Sequence, residues 1–106
     1  MAVKKTGVPT ESWEQKQVIK WSQQPSIRQV YPELKFLYHI PNERSDKVQA
    51  AILKDMGVKK GVPDLFLSAP AGGYHGLYVE MKAMDGKADD DQLWWLEHLK
   101  VNGYAC

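Results

Sequence analysis

Cysteine is nearly absent from this 106-residue sequence, which holds a single one at its last position, Cys106. That excludes an intrachain disulfide and any cysteine-built zinc site. The three histidines, at positions 39, 75 and 98, lack the spacing of metal ligands, so any metal would be held by oxygen. No apolar run approaches the ~20 residues needed to span a bilayer. The start, Met1-Ala2-Val3-Lys4-Lys5, has no apolar segment of the secretory kind. These absences lead to the expectation of a soluble, cytoplasmic protein with no membrane partner and no small-molecule cofactor. Internal repeats and low-complexity stretches are missing too, and 106 residues suit one domain with a modest core.

What is present is concentrated in two short segments. Val62-Pro63-Asp64-Leu65 precedes Val79-Glu80-Met81-Lys82, with Asp64 and Glu80 sixteen positions apart. Leu65-Phe66-Leu67 and Leu77-Tyr78-Val79 flank the stretch Ser68 to Gly76, whose Pro70, Gly72, Gly73 and Gly76 read as a hairpin loop. A hairpin centred near Gly72 sets position 64 opposite position 80. In a strand alternate side chains share a face, so Glu80 and Lys82 point together and Met81 points away. Two carboxylates and an ammonium therefore converge at one end of a two-stranded unit. Pro-Asp followed by Glu-x-Lys is the pattern of a magnesium nuclease. Phosphodiester hydrolysis needs a hard cation on oxygen ligands to neutralise the phosphate and to acidify a water. Asp64 and Glu80 suit the ligand role, and Lys82 suits holding the water or the scissile phosphate. Glu-x-Lys alone is common. Here the three charges lie in the most apolar parts of the chain, where an idle charge is costly.

The net charge of +1 says little, but its distribution is uneven. Arg44, Lys47, Lys54, Lys59 and Lys60 stand against Asp46 and Asp55 just before the Pro-Asp segment. A local patch of this kind serves phosphate neutralisation. Arg44 and Lys54 belong to it, and Lys59 and Lys60 are its best members, because Gly57 and Gly61 would let the backbone there approach DNA closely. No strand interleaves basic and aromatic residues as a stacking platform for single strands would, and no helix resembles a base-reading element. Recognition by backbone and shape is expected.

Along the chain, residues 1–9 read as a flexible lead-in. Thr10 is an expected N-cap for a helix to about Ser22, with Glu11 and Glu14 in its first turn. Its spacing turns Val18 and Trp21 inward and brings a Glu with them, either Glu11 or Glu14. Residues 23–32 read as loop with room for a short turn, 34–40 as a strand, and 45–56 as a helix with Gly57 at its C′ position. A last helix starts in Asp89-Asp90-Asp91 and ends at Gly103. Gln92, Trp95, Leu96 and Leu99 share its buried stripe, so Gln92 needs a polar partner there.

This order predicts a single α/β domain, a sheet flanked by α-helices. The chain resembles the VRR-NUC (virus-type replication-repair nuclease) family of the PD-(D/E)XK superfamily, in its stand-alone phage or bacterial form. The likeness rests on Thr10-Glu11 with Gln15 and Trp21, on His39-Ile40-Pro41-Asn42, and on Leu53-Lys54 with Gly57 through Leu65. It continues in Gly76 through Lys82, in Gln92 with Trp95-Leu96, and in Leu99 with Gly103-Tyr104. Together these cover nearly everything from residue 10, giving a domain of residues 10–106.

The resemblance implies a restriction-endonuclease-like mixed β-sheet and a Mg²⁺- or Mn²⁺-dependent phosphodiesterase. Asp64 and Glu80 would be metal ligands with the Met81 carbonyl as a third, and Lys82 would orient water or phosphate. Alignment through Gln15 and Trp21 places the family's helix-one carboxylate at Glu11, with Glu14 still a contender. Gln92 matches a family glutamine of the site, and His39 and Asn42 match a segment near it that would face DNA. The expected substrate is branched DNA such as a four-way (Holliday) junction, handled in DNA repair by a homodimer in a bacterium or phage-infected host. A nonspecific or restriction-type nuclease and a catalytically idle DNA-binding module are the alternatives. Family members usually continue past Gly-Tyr with another strand and helix, which would here be absent or truncated.

Overall fold

The computed structural model describes residues 7–42 and 46–106. Helix α1 (Glu11–Gln23) starts where the sequence predicts, because the Thr10 hydroxyl accepts the Trp13 N–H at 3.1 Å and Glu11 and Glu14 sit in the positive first turn. Two elements depart from expectation. Within 23–32 the structure has more than loop and a short turn: α2 (Pro25–Val30) forms there, with Pro25 in its first turn, where a missing N–H costs nothing and the fixed φ favours the helix. The strand expected over 34–40 is shortened to β1 (Leu37–His39), because Pro32 opens a 3₁₀ turn through Phe36 in the same way.

Helix α3 (Lys47–Asp55) follows, capped by the Asp46 carboxylate on the Gln49 N–H at 2.7 Å. Its expected start at Ser45 lies outside the described residues. Strands β2 (Leu65–Leu67) and β3 (Leu77–Val79) form the hairpin, pairing Leu65 with Val79 and Leu67 with Leu77. β1 pairs antiparallel on the other side of β2, giving the order β1-β2-β3. Ala105 makes a parallel bridge to Leu77, so the last residues run beside β3 and give the sheet its mixed character. Helix α4 (Asp90–Val101) closes the order, started by a capping box in which Asp89 and Gln92 satisfy each other's backbone N–H. The result is a small mixed α/β domain. Among the described residues no helix is long and apolar enough to cross a membrane.

Strand alternation sorts the sheet's faces. Leu65 is fully buried, with Pro63, Ala83 and Leu99 also in the core. The opposite face carries Tyr38, Phe66 and Tyr78 in register, Phe66 stacking on Tyr78 at 4.3 Å and Tyr104 meeting Tyr78 edge-on at 5.3 Å. In α1 the inward residue is Ser22, not Trp21, which is 44% exposed. Ser22 tolerates burial because its hydroxyl donates to the Ile19 carbonyl at 2.7 Å, and Arg28 of α2 donates to the Ser22 carbonyl at 3.0 Å. The unpredicted α2 thus packs against α1 at Ser22. Trp94 is also exposed and does not complete the core.

Gly61 does not present backbone to DNA, as the sequence suggests, but is buried against α4. It has φ +90°, and a Cβ there would lie 2.7 Å from the Asp91 carbonyl carbon. Trp95 Nε1 donates to the Lys60 carbonyl at 3.1 Å, and Lys60 Nζ lies 3.3 Å from Asp91. The loop before Asp64 is thereby docked on the start of α4. Gly61→Ala meets both a left-handed φ and a backbone clash, so it is expected to cost about 2 kcal/mol, seen as a fall in Tm of about 10 °C in a thermal melt.

Candidate active site

Asp64 immediately precedes β2 and Glu80 immediately follows β3, so the hairpin register sets them side by side at one end of the sheet. The end of β1 anchors Asp64 from behind. Its main-chain carbonyl accepts the Ile40 N–H at 2.7 Å and lies 2.8 Å from His39 Nδ1, which must therefore be the protonated ring nitrogen. Its carboxylate Oδ2 accepts the Met81 N–H at 2.8 Å. Backbone and side chain of Asp64 are both held, on opposite strands.

Glu80 has a side chain only 8% exposed, 3.6 Å from Lys82 Nζ through Oε2. The same oxygen accepts from Gln92 Nε2 at 3.3 Å, while Gln92 Oε1 accepts the Asp89 N–H at 2.9 Å in the capping box. The partner that Gln92 needs on its apolar stripe is Glu80, and the cap fixes which end of the amide faces it. Lys82 Nζ also lies 3.6 Å from Glu11 Oε1, bringing the first turn of α1 into the cluster. Between α1 and the hairpin end opens a cleft of about 290 Å³ lined by Glu11, Ser12, Gln15, Asp64 and Met81. Residues from α1, the β2 and β3 termini and α4 thus meet in one place.

A family model for the VRR-NUC domain matches residues 9–106. The chain belongs to the VRR-NUC family. A solved structure described as a VRR_NUC domain protein is 35% identical, superposes with a TM-score of 0.71, and matches over 92% of this chain and 74% of that one. No curated protein matches the sequence. The expectation of a PD-(D/E)XK-type nuclease domain is therefore borne out, with DNA as the class of substrate and divalent metal as the class of cofactor.

The VRR-NUC site has the electrostatics of a cation cradle. Burial raises the Glu80 pKa from 4.5 to about 8, helped by the charge of Asp64 and by a hydrogen bond between the two carboxyls, against the pull of Lys82. Two carboxyls placed so that they resist ionising together suit a divalent cation, which would relieve that conflict. Among the described residues no group of three or more His, Cys, Asp or Glu forms a metal cage. An ion of the magnesium type needs only one or two carboxylates besides water, so the residues fit.

The raised pKa has a measurable consequence. Between pH 4.5 and about 8 the folded VRR-NUC domain holds a proton on Glu80 that the unfolded chain has lost. Stability from this group therefore falls as pH rises through that window. Melts in EDTA are expected to show a declining Tm from pH 5 to about 8, and Glu80→Gln should flatten the decline.

The remaining sequence-predicted residues distribute unevenly. Lys54 and Lys59 are exposed on and after α3, and Lys60 is engaged with Asp91. Asn42 lines a separate cleft with Lys59, and His39 braces Asp64 from beneath. Arg44 lies outside the described residues. Of the two α1 carboxylates left open by the sequence, Glu11 is the one that reaches Lys82. Ser12 and Gln15 were not singled out as site residues, although Gln15 follows Glu11 by one helical turn, the spacing that puts both on one wall.

Proposed function

We propose that this VRR-NUC protein is a Mg²⁺- or Mn²⁺-dependent endonuclease that hydrolyses phosphodiester bonds in branched DNA, four-way junctions included, as a homodimer in the bacterial or phage-infected cytoplasm. The observation that carries the reading is the linked cluster of Glu11, Lys82, Glu80 and Gln92 beside the cleft that Glu11 and Asp64 line.

In this reading Asp64, Glu80 and the Met81 carbonyl hold the cation. When bound, it supplies charge neutralisation at the phosphate and a more acidic water. Gln92 holds the Glu80 carboxylate in place through Oε2, and the Met81 N–H does the same for Asp64. Lys82 directs its ammonium at water or phosphate, and Glu11 orients that ammonium from the α1 side. Exposed Lys54 and Lys59 contact backbone phosphates. Glu11→Ala is expected to lower the cleavage rate about 10- to 100-fold, as loss of a supporting contact does. Glu14→Ala should do much less, and parallel rate measurements on the two variants check the difference.

Branched DNA and the dimer are supported by the likeness to stand-alone family members and by symmetry. A four-way junction needs two cuts, one per site, which a C2 pair supplies. Exposed Trp13, Tyr74 and Trp94 offer apolar surface for pairing. The test compares duplex, flap and four-way-junction DNA with Mg²⁺, Mn²⁺ or EDTA. Paired nicks in four-way junctions, with branched DNA cut in preference to plain duplex, support the dimeric, structure-specific enzyme, whereas equal cutting of plain duplex replaces it with a general nuclease.

A further inference from the structure

A second cleft, of about 260 Å³, lies between the end of β1 and the segment that follows α3. Its walls are mostly apolar, with Ile40, Met56, Val58 and Val62 among them, and Asn42 and Lys59 add the polar groups. It adjoins the catalytic cleft through shared backbone: Ile40 donates its N–H to the Asp64 carbonyl at 2.7 Å, and Val62 stands two residues before Asp64. The cleft thus lies beside the strand end that carries Asp64.

The surface around it is unusual for a small soluble domain. Val48 and Ile52 on α3 and Met56 at its C-cap recur every four residues and are 73%, 54% and 77% exposed. Of the nearby lysines, exposed Lys59 lies on the cleft itself, while Lys47 and Lys54 are on the other side of α3 from that stripe. Gly57, with φ +99° and open space where a Cβ would stand, keeps the backbone at the rim accessible. Apolar side chains beside a lysine are what an unstacked base with its phosphate requires, the former meeting the base and the latter the backbone. A carboxamide such as Asn42 can hydrogen-bond a base edge. A second copy of the chain is the poorer occupant, because a two-fold contact over this cleft would bury Lys59 against a lining that holds no carboxylate.

We propose that this cleft receives an unpaired base from the strand being cut, and that it makes the enzyme favour DNA with unpaired bases at a branch over continuous duplex. The proposal rests on the nuclease reading above and adds the feature of the substrate that is read. Met56 forms the exposed rim against which the base is turned out of its stack, and Val58 lines the pocket that takes it.

The experiment uses the Asp64→Ala protein and a flap oligonucleotide carrying 2-aminopurine as the first unpaired base, with fluorescence anisotropy run in parallel to measure binding. Saturating protein should raise the 2-aminopurine emission several-fold. Val58→Trp, which fills the cleft, and Met56→Ala, at an exposed position where folding is secure, should each remove most of that rise. In the otherwise intact enzyme the same two substitutions should reduce the ratio of flap to duplex cleavage about tenfold. Binding without any emission change overturns the proposal, as does unchanged emission and ratio in both variants. A loss of dimer in either variant, with unstacking intact, also overturns it and assigns the face to self-association. Unstacking by a protein that cuts nothing leaves the cleft as proposed and removes the endonuclease reading instead.

Discussion

Asp64→Ala and Glu80→Ala are each expected to lower DNA cleavage by about 10³-fold or more, the scale on which loss of a charge-stabilising group acts, while DNA binding persists. The separation follows from geometry. The exposed Lys54 and Lys59 lie outside the carboxyl pair, so phosphate attraction survives its loss. Asp64 has a structural duty as well, since its Oδ2 accepts the Met81 N–H at 2.8 Å. Asp64→Asn keeps an acceptor for that N–H and removes only the charge. It should be as inactive as Asp64→Ala and as well folded as the parent. An active Asp64→Asn would mean that the carboxylate serves the hairpin and not the chemistry. Gel cleavage assays, with anisotropy for binding, decide the matter.

Lys82→Ala is expected to reduce turnover by about 10³-fold as well, but with the metal still bound. Its ammonium stands 3.6 Å from both Glu11 and Glu80 and is the one influence that draws the Glu80 pKa downward. Removing it leaves the proposed ligands in place while taking away the group that orients water or phosphate. Manganese titration of the variant should therefore give near-parental affinity alongside a collapsed kcat. Full activity in Lys82→Ala would end the assignment of that residue. Loss of metal binding would make it a keeper of ligand geometry.

Much of this was legible because the decisive signals are local. The Pro and Gly residues of 70–76 fix the turn, and the turn fixes the register that sets Asp64 beside Glu80. The caps at Thr10 and Asp89 start α1 and α4 where the sequence places them. The polar partner demanded by Gln92 on an apolar stripe is Glu80. What was not legible depends on tertiary neighbours. Pro25 and Pro32 fall in the stretch that reads as loop, although a proline at the start of a helix favours it. Ser22, bonded to Arg28 of α2, is the buried residue of α1 and Trp21 stays exposed, a reversal that helix spacing alone cannot give. Gly61 looked like an opening toward DNA, but it is the point where the loop meets α4, known only when Asp91 is seen against it. Helical geometry left Glu11 and Glu14 equivalent, and the position of Lys82 on another element separates them.

The most direct test of the account is cleavage of one labelled junction substrate by the parent protein and by Asp64→Ala, each in Mg²⁺, in Mn²⁺ and in EDTA. The account predicts cutting by the parent in either metal, none in EDTA, and none by Asp64→Ala in any condition. Cutting that survives EDTA, or that Asp64→Ala performs at the parental rate, would contradict it.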